Sequence, residues 1–155
     1  LSNKFGWMVL STGNKTEIAL GYCTLYGDMN GGLSVIADLG KSDVYALSNW
    51  INTMHPKRIP LSTINKPPSA ELAPNQVDPF DYNIVSPLVD KMIAADKTLD
   101  EIVQSGVNQE LVSRLYNKIR INEYKRRQSA PGLRVSSKAF GFGRRFPIVN
   151  HFKPE

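Results

Sequence analysis

A short apolar run that ends directly in a polar turn constrains the fold more than any other stretch of this sequence. Residues 5–10 read Phe-Gly-Trp-Met-Val-Leu, which is typical of a strand buried in a parallel sheet. The turn at residues 11–14 follows, and a helix is predicted over about residues 15–23. Because α/β proteins bind ligands at the carboxyl ends of parallel strands, this turn is a candidate ligand site.

Helical patterns dominate the remainder of the chain. Apolar spacing predicts one helix over about residues 42–53 and another around the stripe from Ile84 to Ile93. Thr98 and Glu101 form a capping-box pattern for a short helix that stops at Gly106. A longer helix is expected after the Asn cap at position 108, reaching about residue 127, with an apolar core face of Leu111, Val112, Leu115 and Ile119.

Two segments lack this periodicity. Residues 56–79 contain six prolines, and a loop of this length is typical of a functional lid or a disordered segment. Residues 129–155 are rich in glycine, proline and basic side chains, so they are predicted to be extended. The sequence therefore predicts an α/β arrangement at the front of the chain and helices behind it.

Composition excludes several classes of protein. No apolar run approaches the roughly 20 residues of a membrane helix, so no membrane partner is predicted. Cys23 is the only cysteine, which excludes a disulfide scaffold and a cysteine-based zinc site. A single cysteine also fits a reducing compartment, and the predicted location is the cytoplasm.

The net charge of +5 is concentrated near one end of the chain. Eight of the nineteen Lys and Arg residues fall within residues 124–154, where there is no Asp or Glu. Such a segment typically meets phosphate, on a nucleotide or on a nucleic acid, although a solvated basic tail is the alternative. A nucleic-acid-binding module is disfavoured, because the stacking candidates, Phe140, Phe142 and Phe146, are few and no known motif is present.

Two neighbouring segments carry candidate binding residues. Residues 12–17, Thr-Gly-Asn-Lys-Thr-Glu, combine a hydroxyl and free backbone N–H groups that suit phosphate with a carboxylate, Glu17, that could hold Mg²⁺. An ordinary capped helix start explains the same residues. In residues 21–28 the aromatic rings and Asp28 could hold a flat, hydroxylated ligand, or Tyr22 and Tyr26 could be core residues at i, i+4 spacing.

Seven segments, in order along the chain, carry a resemblance to one family: residues 12–17, residues 26–28, residues 67–72 (Pro-Pro-Ser-Ala-Glu-Leu), Gln76 with Asp78, residues 122–127 (Asn-Glu-Tyr-Lys-Arg-Arg), residues 138–141 and residues 144–148. Together they resemble the successive signatures of glutamine-dependent NAD(+) synthetases over nearly the whole chain. The resemblance implies an enzyme that uses ATP to adenylate the nicotinic acid carboxylate of deamido-NAD. Ammonia made from glutamine by a separate glutaminase domain then displaces AMP to give NAD.

The resemblance also implies a fold. It corresponds to the C-terminal part of a Rossmann-like, doubly wound parallel sheet of the adenine nucleotide alpha-hydrolase type, helix-rich at its C-terminal end. Residues 1–155 would form one portion of the synthetase domain, with a mobile loop at residues 55–79 and an extended basic tail at residues 128–155.

Site residues follow from the resemblance position by position. Those expected to bind ATP are Thr12, Lys41 and Ser69. Those expected to bind deamido-NAD are Glu17, Tyr22, Cys23, Thr24, Leu25, Asp28 and Lys125, and Glu17 is also the expected Mg²⁺ ligand. No residue is assigned a catalytic role. Leu25 departs from the small ammonia-dependent enzymes, which have a lysine there, and this favours the glutamine-dependent branch.

One family signature has no counterpart in this sequence. The Ser-Gly-Gly-x-Asp-Ser loop that holds pyrophosphate is absent, and Gly-Gly-Leu-Ser at residues 31–34 does not supply it. We therefore expect this chain to need the N-terminal remainder of the synthetase and the glutaminase domain, to assemble as a homo-oligomer, and to be inactive alone. A non-catalytic scaffold is the alternative for a short homologue.

Overall fold

The computed structural model describes residues 1–94 and 97–151, which form eight helices and one small sheet. The elements are α1 (Ser2–Phe5), β1 (Leu10–Ser11), α2 (Lys15–Leu20), β2 (Leu33–Ser34), α3 (Lys41–Met54), α4 (Leu61–Ile64), α5 (Tyr82–Ala94), α6 (Leu99–Gln104), α7 (Gln109–Ile121) and α8 (Glu123–Arg126). Strands β1 and β2 pair in parallel, and Ser34 continues the pairing to Gly132 through an isolated parallel bridge. The predicted α/β class, helix-rich behind a parallel sheet, is confirmed.

The predicted strand at residues 5–10 is wrong in its extent. Phe5 ends α1, Gly6 follows with a φ of 68°, and the strand includes only Leu10 of this run. Trp7 and Met8 are exposed, and the Phe5 and Trp7 rings stack on each other with centroids 4.7 Å apart. A buried strand needs neighbours on both sides, and among the described residues only β2 pairs with β1.

The hydrophobic core lies among α2, α5, α6 and α7. Its buried side chains are Ala19, Leu20, Val85, Leu88, Val89, Met92, Ile93, Ile102, Val112, Leu115, Ile119 and Phe146. The predicted apolar stripe of α5 is confirmed except at Ile84, which is 53% exposed because it lies at the edge of the stripe. Across the part of the chain that the structure describes, no helix is both long and apolar enough to cross a membrane.

Both predicted helix caps behind the loop are present. The side chain of Thr98 and that of Glu101 form a reciprocal capping box at the start of α6, and Asn108 accepts a bond from the backbone of Leu111. Helix α7 ends at Ile121, before the predicted end at about residue 127. Asn122, with φ −90° and ψ 8°, separates it from α8, and its side chain bonds the carbonyls of Leu20 in α2 and Lys118 in α7.

The loop at residues 55–79 contains only the single turn α4, and none of its side chains is buried. Its mobility stays a prediction. The segment from residue 128 to residue 151 is irregular and folds back on the core, where Phe146 is buried and Phe140 is partly buried. Of Phe140, Phe142 and Phe146, only Phe142 is fully exposed.

Candidate functional site

The turn after β1 holds Glu17 at the start of α2. The Asn14 side chain accepts from the backbone N–H of Glu17 at 3.0 Å, and the Glu17 carboxylate accepts from the backbone N–H of Asn14 at 3.1 Å. This reciprocal pair is a capping box, so it fixes the carboxylate beside the turn. Thr12 lies exposed in the same turn.

Lys41 meets Glu17 at the junction of α2 and α3. Its Nζ lies 2.7 Å from Glu17 Oε1, and the two side chains are only about one-fifth exposed, at 18% and 20%. The ammonium also lies 5.9 Å and 5.5 Å from the ring centroids of Tyr45 and Tyr82. The resemblance assigned Glu17 to deamido-NAD and Mg²⁺ and Lys41 to ATP, whereas the structure brings the two side chains into one ion pair.

Tyr22, Phe80 and Lys125 lie together at the other end of α2. Tyr22 packs edge-on against Phe80 with centroids 4.9 Å apart, and the Lys118 ammonium lies 5.0 Å from the Tyr22 ring. Lys125 Nζ donates to the carbonyl oxygens of Gly21 and Cys23, each at 2.7 Å. The Gly21 carbonyl belongs to the C-cap of α2, where the helix leaves carbonyls unpaired, and Cys23 lies two residues beyond it, so Lys125 is fixed at this end of the helix.

The cysteine at this end of α2 is unreactive by environment. Cys23 is 8% exposed, and burial raises the pKa of its thiol to about 11, with the Lys125 ammonium opposing the shift. The raised pKa disfavours the thiolate, the reactive form of cysteine, so a nucleophilic role for Cys23 is not expected.

Asp28 closes the turn that follows. Its carboxylate accepts from the backbone N–H of Thr24 at 2.6 Å, and its carbonyl accepts from Ser11 Oγ at 3.0 Å. Tyr26 has a φ of 62°, is 79% exposed, and donates its hydroxyl to Gln128 at 3.0 Å. Leu25 is partly buried in the same turn. The structure thus joins this turn to the end of β1 and to the residues after α8.

Ser69 lies in the loop at residues 55–79. Its Oγ accepts from the backbone N–H of Glu71 at 3.0 Å, a bond within the loop at residues 55–79. Its predicted role in binding ATP therefore depends on how that loop closes, and stays a prediction.

Sequence reasoning missed a buried ionic cluster next to this site. Lys15 lies in the first turn of α2, and its Nζ is 3.1 Å from Asp38 Oδ1 and 3.1 Å from Asp90 Oδ1. Burial alone would raise the pKa of Asp38, but hydrogen bonds from Ser136, Val135 and Lys15 outweigh it and lower the pKa. The available signal was a lysine at a helix start, where the helix dipole disfavours a cation.

The sequence also does not indicate that Arg126 is a buried residue that joins several segments. Its side chain is 2% exposed and pairs with Glu123 at 3.0 Å, while Nη1 donates to the carbonyl of Ala19 at 2.9 Å. Its guanidinium lies 4.5 Å from the centroid of Phe140, so it joins α8 to α2 and to the segment beyond residue 128. Burial lowers the pKa of Arg126, and Glu123 opposes the shift.

The donors for a metal are few. Within residues 1–94 and 97–151 there is no group of three His, Cys, Asp or Glu side chains that could hold a metal ion. Magnesium in nucleotide enzymes is commonly held by one or two carboxylates together with substrate phosphates. Glu17 alone fits that donor set only when a nucleotide supplies the remaining oxygens.

Comparison with known proteins gives consistent relatives. The model of the family described as NAD synthase matches residues 1–129. A glutamine-dependent NAD(+) synthetase from Synechocystis is 46% identical over 158 aligned positions, covering 100% of this chain and 28% of the relative. One from Thermotoga maritima is also 46% identical, covering 99% of this chain and 27% of the relative.

Solved structures agree at the level of the fold. The crystal structure of a glutamine-dependent NAD(+) synthetase from Cytophaga hutchinsonii is 20% identical with a TM-score of 0.72, covering 97% of this chain and 26% of that one. The chain therefore spans less than a third of the length of these relatives.

Proposed function

This chain belongs to the NAD synthase family, and from that premise we propose that it is the C-terminal part of a glutamine-dependent NAD(+) synthetase. In the proposed reaction the carboxylate of deamido-NAD attacks the α-phosphorus of ATP and pyrophosphate leaves. Ammonia derived from glutamine then attacks the activated carbonyl carbon, and AMP leaves to give NAD. The activity is proposed to be cytoplasmic, in keeping with one unpaired cysteine.

The observation that carries this proposal is the ion pair between Glu17 and Lys41. An ammonium confined by two aromatic rings is a fixed cation, and it can bind a phosphate oxygen when one arrives. Glu17 then loses its partner and becomes available to a cation that accompanies the nucleotide. Bound Mg²⁺ would supply neutralisation of the phosphate charge. Thr12 and Ser69 are proposed as further ATP contacts.

The deamido-NAD side of the site is proposed at the other end of α2. There the half-buried ring of Tyr22 offers a flat apolar surface, and the Lys125 ammonium offers a positive charge. Cys23, Thr24, Leu25 and Asp28 complete this wall, and Glu17 stands at the opposite end of the same helix. Four residues separate Glu17 from Tyr22, so α2 would lie along the bound substrate.

The proposed enzyme needs parts that this sequence does not contain. A phosphate-holding loop, the N-terminal remainder of the synthetase and the glutaminase domain are proposed partners, in a homo-oligomer. We expect the 155-residue chain to form no NAD from Mg-ATP, deamido-NAD and ammonium. Loss of one oxyanion donor costs about 2.7–4 kcal/mol, and a whole cradle contains several. Turnover at a thousandth of the rate of a complete synthetase would contradict this expectation.

The test of the site is Glu17→Gln in the complete enzyme. We expect pyrophosphate release at saturating ATP to fall about 100-fold, as for loss of one charged group that stabilises the transition state. Glutamine preserves the capping box, so the helix should remain intact. The matched control is Glu101→Gln, which makes the same change at the same position of the capping box of α6. Near-normal release in the Glu17 variant would remove this carboxylate from the mechanism.

A further inference from the structure

A buried ionic cluster ties together segments that are distant in the sequence. The Lys15 ammonium has three donors, and it meets three acceptors: Asp38 Oδ1 at 3.1 Å, Asp90 Oδ1 at 3.1 Å and Ser136 Oγ at 3.0 Å. The side chains of Lys15 and Asp38 are only 5% and 2% exposed. The lysine is therefore fully paired inside the protein.

Asp38 uses the same cluster to bind the backbone of the arm, which we define as residues 131–136. Its Oδ2 accepts from the N–H of Val135 at 2.8 Å and from the N–H of Ser136 at 2.7 Å. Its Oδ1 accepts from Ser136 Oγ at 2.8 Å. One carboxylate thus fixes two consecutive peptide groups of the arm, and it does so across 97 residues of sequence.

This arrangement is not expected to add much to the free energy of unfolding. A cation in the first turn of a helix opposes the helix dipole, and a buried ion pair often contributes no more than apolar residues of the same volume. Such a cluster restricts how the attached segments can be arranged, because each charged atom requires its own partner. Its value therefore lies in where it places the attached segments.

The attached segments are those that carry the proposed substrate contacts. Lys15 lies two residues before Glu17 in α2, and its backbone N–H donates at 2.8 Å to the carbonyl of Leu39, two residues before Lys41. The arm follows α8, which carries Lys125. The cluster therefore lies where the three segments meet.

We propose that Lys15 and Asp38 are positioning residues of this site, an inference that rests on the proposed function. They contact no substrate. They join the starts of α2 and α3 to each other and to the arm, and so fix Glu17 relative to Lys41. Loosening this junction displaces Glu17 and so weakens capture of deamido-NAD, the substrate that Glu17 is proposed to contact.

The experiment compares Asp38→Asn and Ser136→Ala with two controls in the complete enzyme. Asp100→Asn changes an exposed carboxylate of α6, and Ser137→Ala removes the neighbouring exposed hydroxyl. We expect the KM for deamido-NAD to rise about tenfold in Asp38→Asn and about threefold in Ser136→Ala, with kcat changing less and the controls unchanged. An unchanged KM in a folded Asp38 or Ser136 variant that has only lost thermal stability overturns the proposal.

Amide hydrogen exchange provides a readout that does not need turnover. In the wild type the N–H groups of Val135 and Ser136 should exchange slowly, and Asp38→Asn should speed both while leaving the core of α7 protected. If Asp38→Asn does not fold, Ser136→Ala carries the test alone. Fast exchange at both amides in the wild type overturns the positioning role. A wild-type enzyme that makes no NAD yet keeps both amides protected instead overturns the proposed function.

Discussion

Replacing Arg126 with methionine is expected to lower the free energy of unfolding by about 3–5 kcal/mol. The Arg126 side chain is 2% exposed, and Glu123, its partner, is 3% exposed. Methionine has a similar reach and can pack on the Phe140 ring, so the change removes mainly the charge, its hydrogen bonds and its cation–π contact.

The magnitude comes from weighing two opposing effects. Arg126 donates to Glu123 at 3.0 Å, to the carbonyls of Ala19 at 2.9 Å and Ile18 at 3.3 Å, and to that of Ile119. At about 1.5–3 kcal/mol for each charged hydrogen bond, a simple sum would exceed the stability of many domains. Burial of the guanidinium opposes that sum, as the lowered pKa of Arg126 indicates. The measured cost of breaking a buried pair, about 3–5 kcal/mol, already includes both effects.

The assay is equilibrium urea unfolding followed by far-UV circular dichroism, with the change in free energy taken from the midpoint and slope. Arg127→Met is the matched control, because Arg127 binds the same carboxylate at 2.7 Å but is 44% exposed. An exposed pair contributes about 0–1 kcal/mol, so the neighbouring variant should be nearly neutral. Arg126→Lys should fall between the two, since an ammonium cannot reach all the acceptors of the guanidinium fork.

One result would refute this reasoning. If Arg126→Met and Arg127→Met both cost less than about 1 kcal/mol, burial would not distinguish them and Arg126 would not join α2 to α8.

Three further predictions concern the site. Lys125→Ala in the complete enzyme should weaken deamido-NAD binding about tenfold, equivalent to about 1.4 kcal/mol. The control, Lys91→Ala on the exposed face of α5, should leave this binding unchanged. Equal effects of the two changes would indicate that Lys125 acts only through the overall positive charge of the protein. Because the pKa of Cys23 is raised to about 11, iodoacetamide at mildly alkaline pH should alkylate it at least about 100-fold more slowly in the native protein than in the urea-unfolded protein. Comparable rates in the two states would contradict this. Residues 55–79 should exchange amide hydrogens rapidly without ligand and more slowly with ATP, so protection in the free protein would remove the mobile-loop prediction.

Features decided by neighbouring residues could be predicted from the sequence. The capping pairs at Thr98 and Asn108 and the apolar face of α5 depend on spacings of three or four residues, and the structure has them where expected. The end of α7 at Asn122 could not be predicted from local spacing, and the side chain of Asn122 bonds the carbonyl of Leu20, 102 residues away, a contact that no local pattern indicates.

The same limit applies to the site. Glu17 and Lys41 were each expected to bind ligand, but nothing in the sequence indicates that they pair across 24 residues. Lys15 and Asp38 were passed over, since a lysine at a helix start and an aspartate before a glycine become significant only once the fold joins them. Strand β1 is shorter than its apolar sequence predicts, because the extent of a strand is set by its partners.

The carbonyl groups at the end of α2 have a consequence for the order of events during synthesis. Those of Ile18, Ala19, Leu20, Gly21 and Cys23 all accept bonds from side chains that lie 102 to 108 residues later in the chain. At about 5–20 residues per second, a ribosome needs roughly 5–20 s to add that length. A six-residue helix is too short to persist in water during this interval. The helix that carries Glu17 therefore gains its lasting form only after α8 has emerged, and a ribosome stalled before residue 122 would present a nascent chain without it.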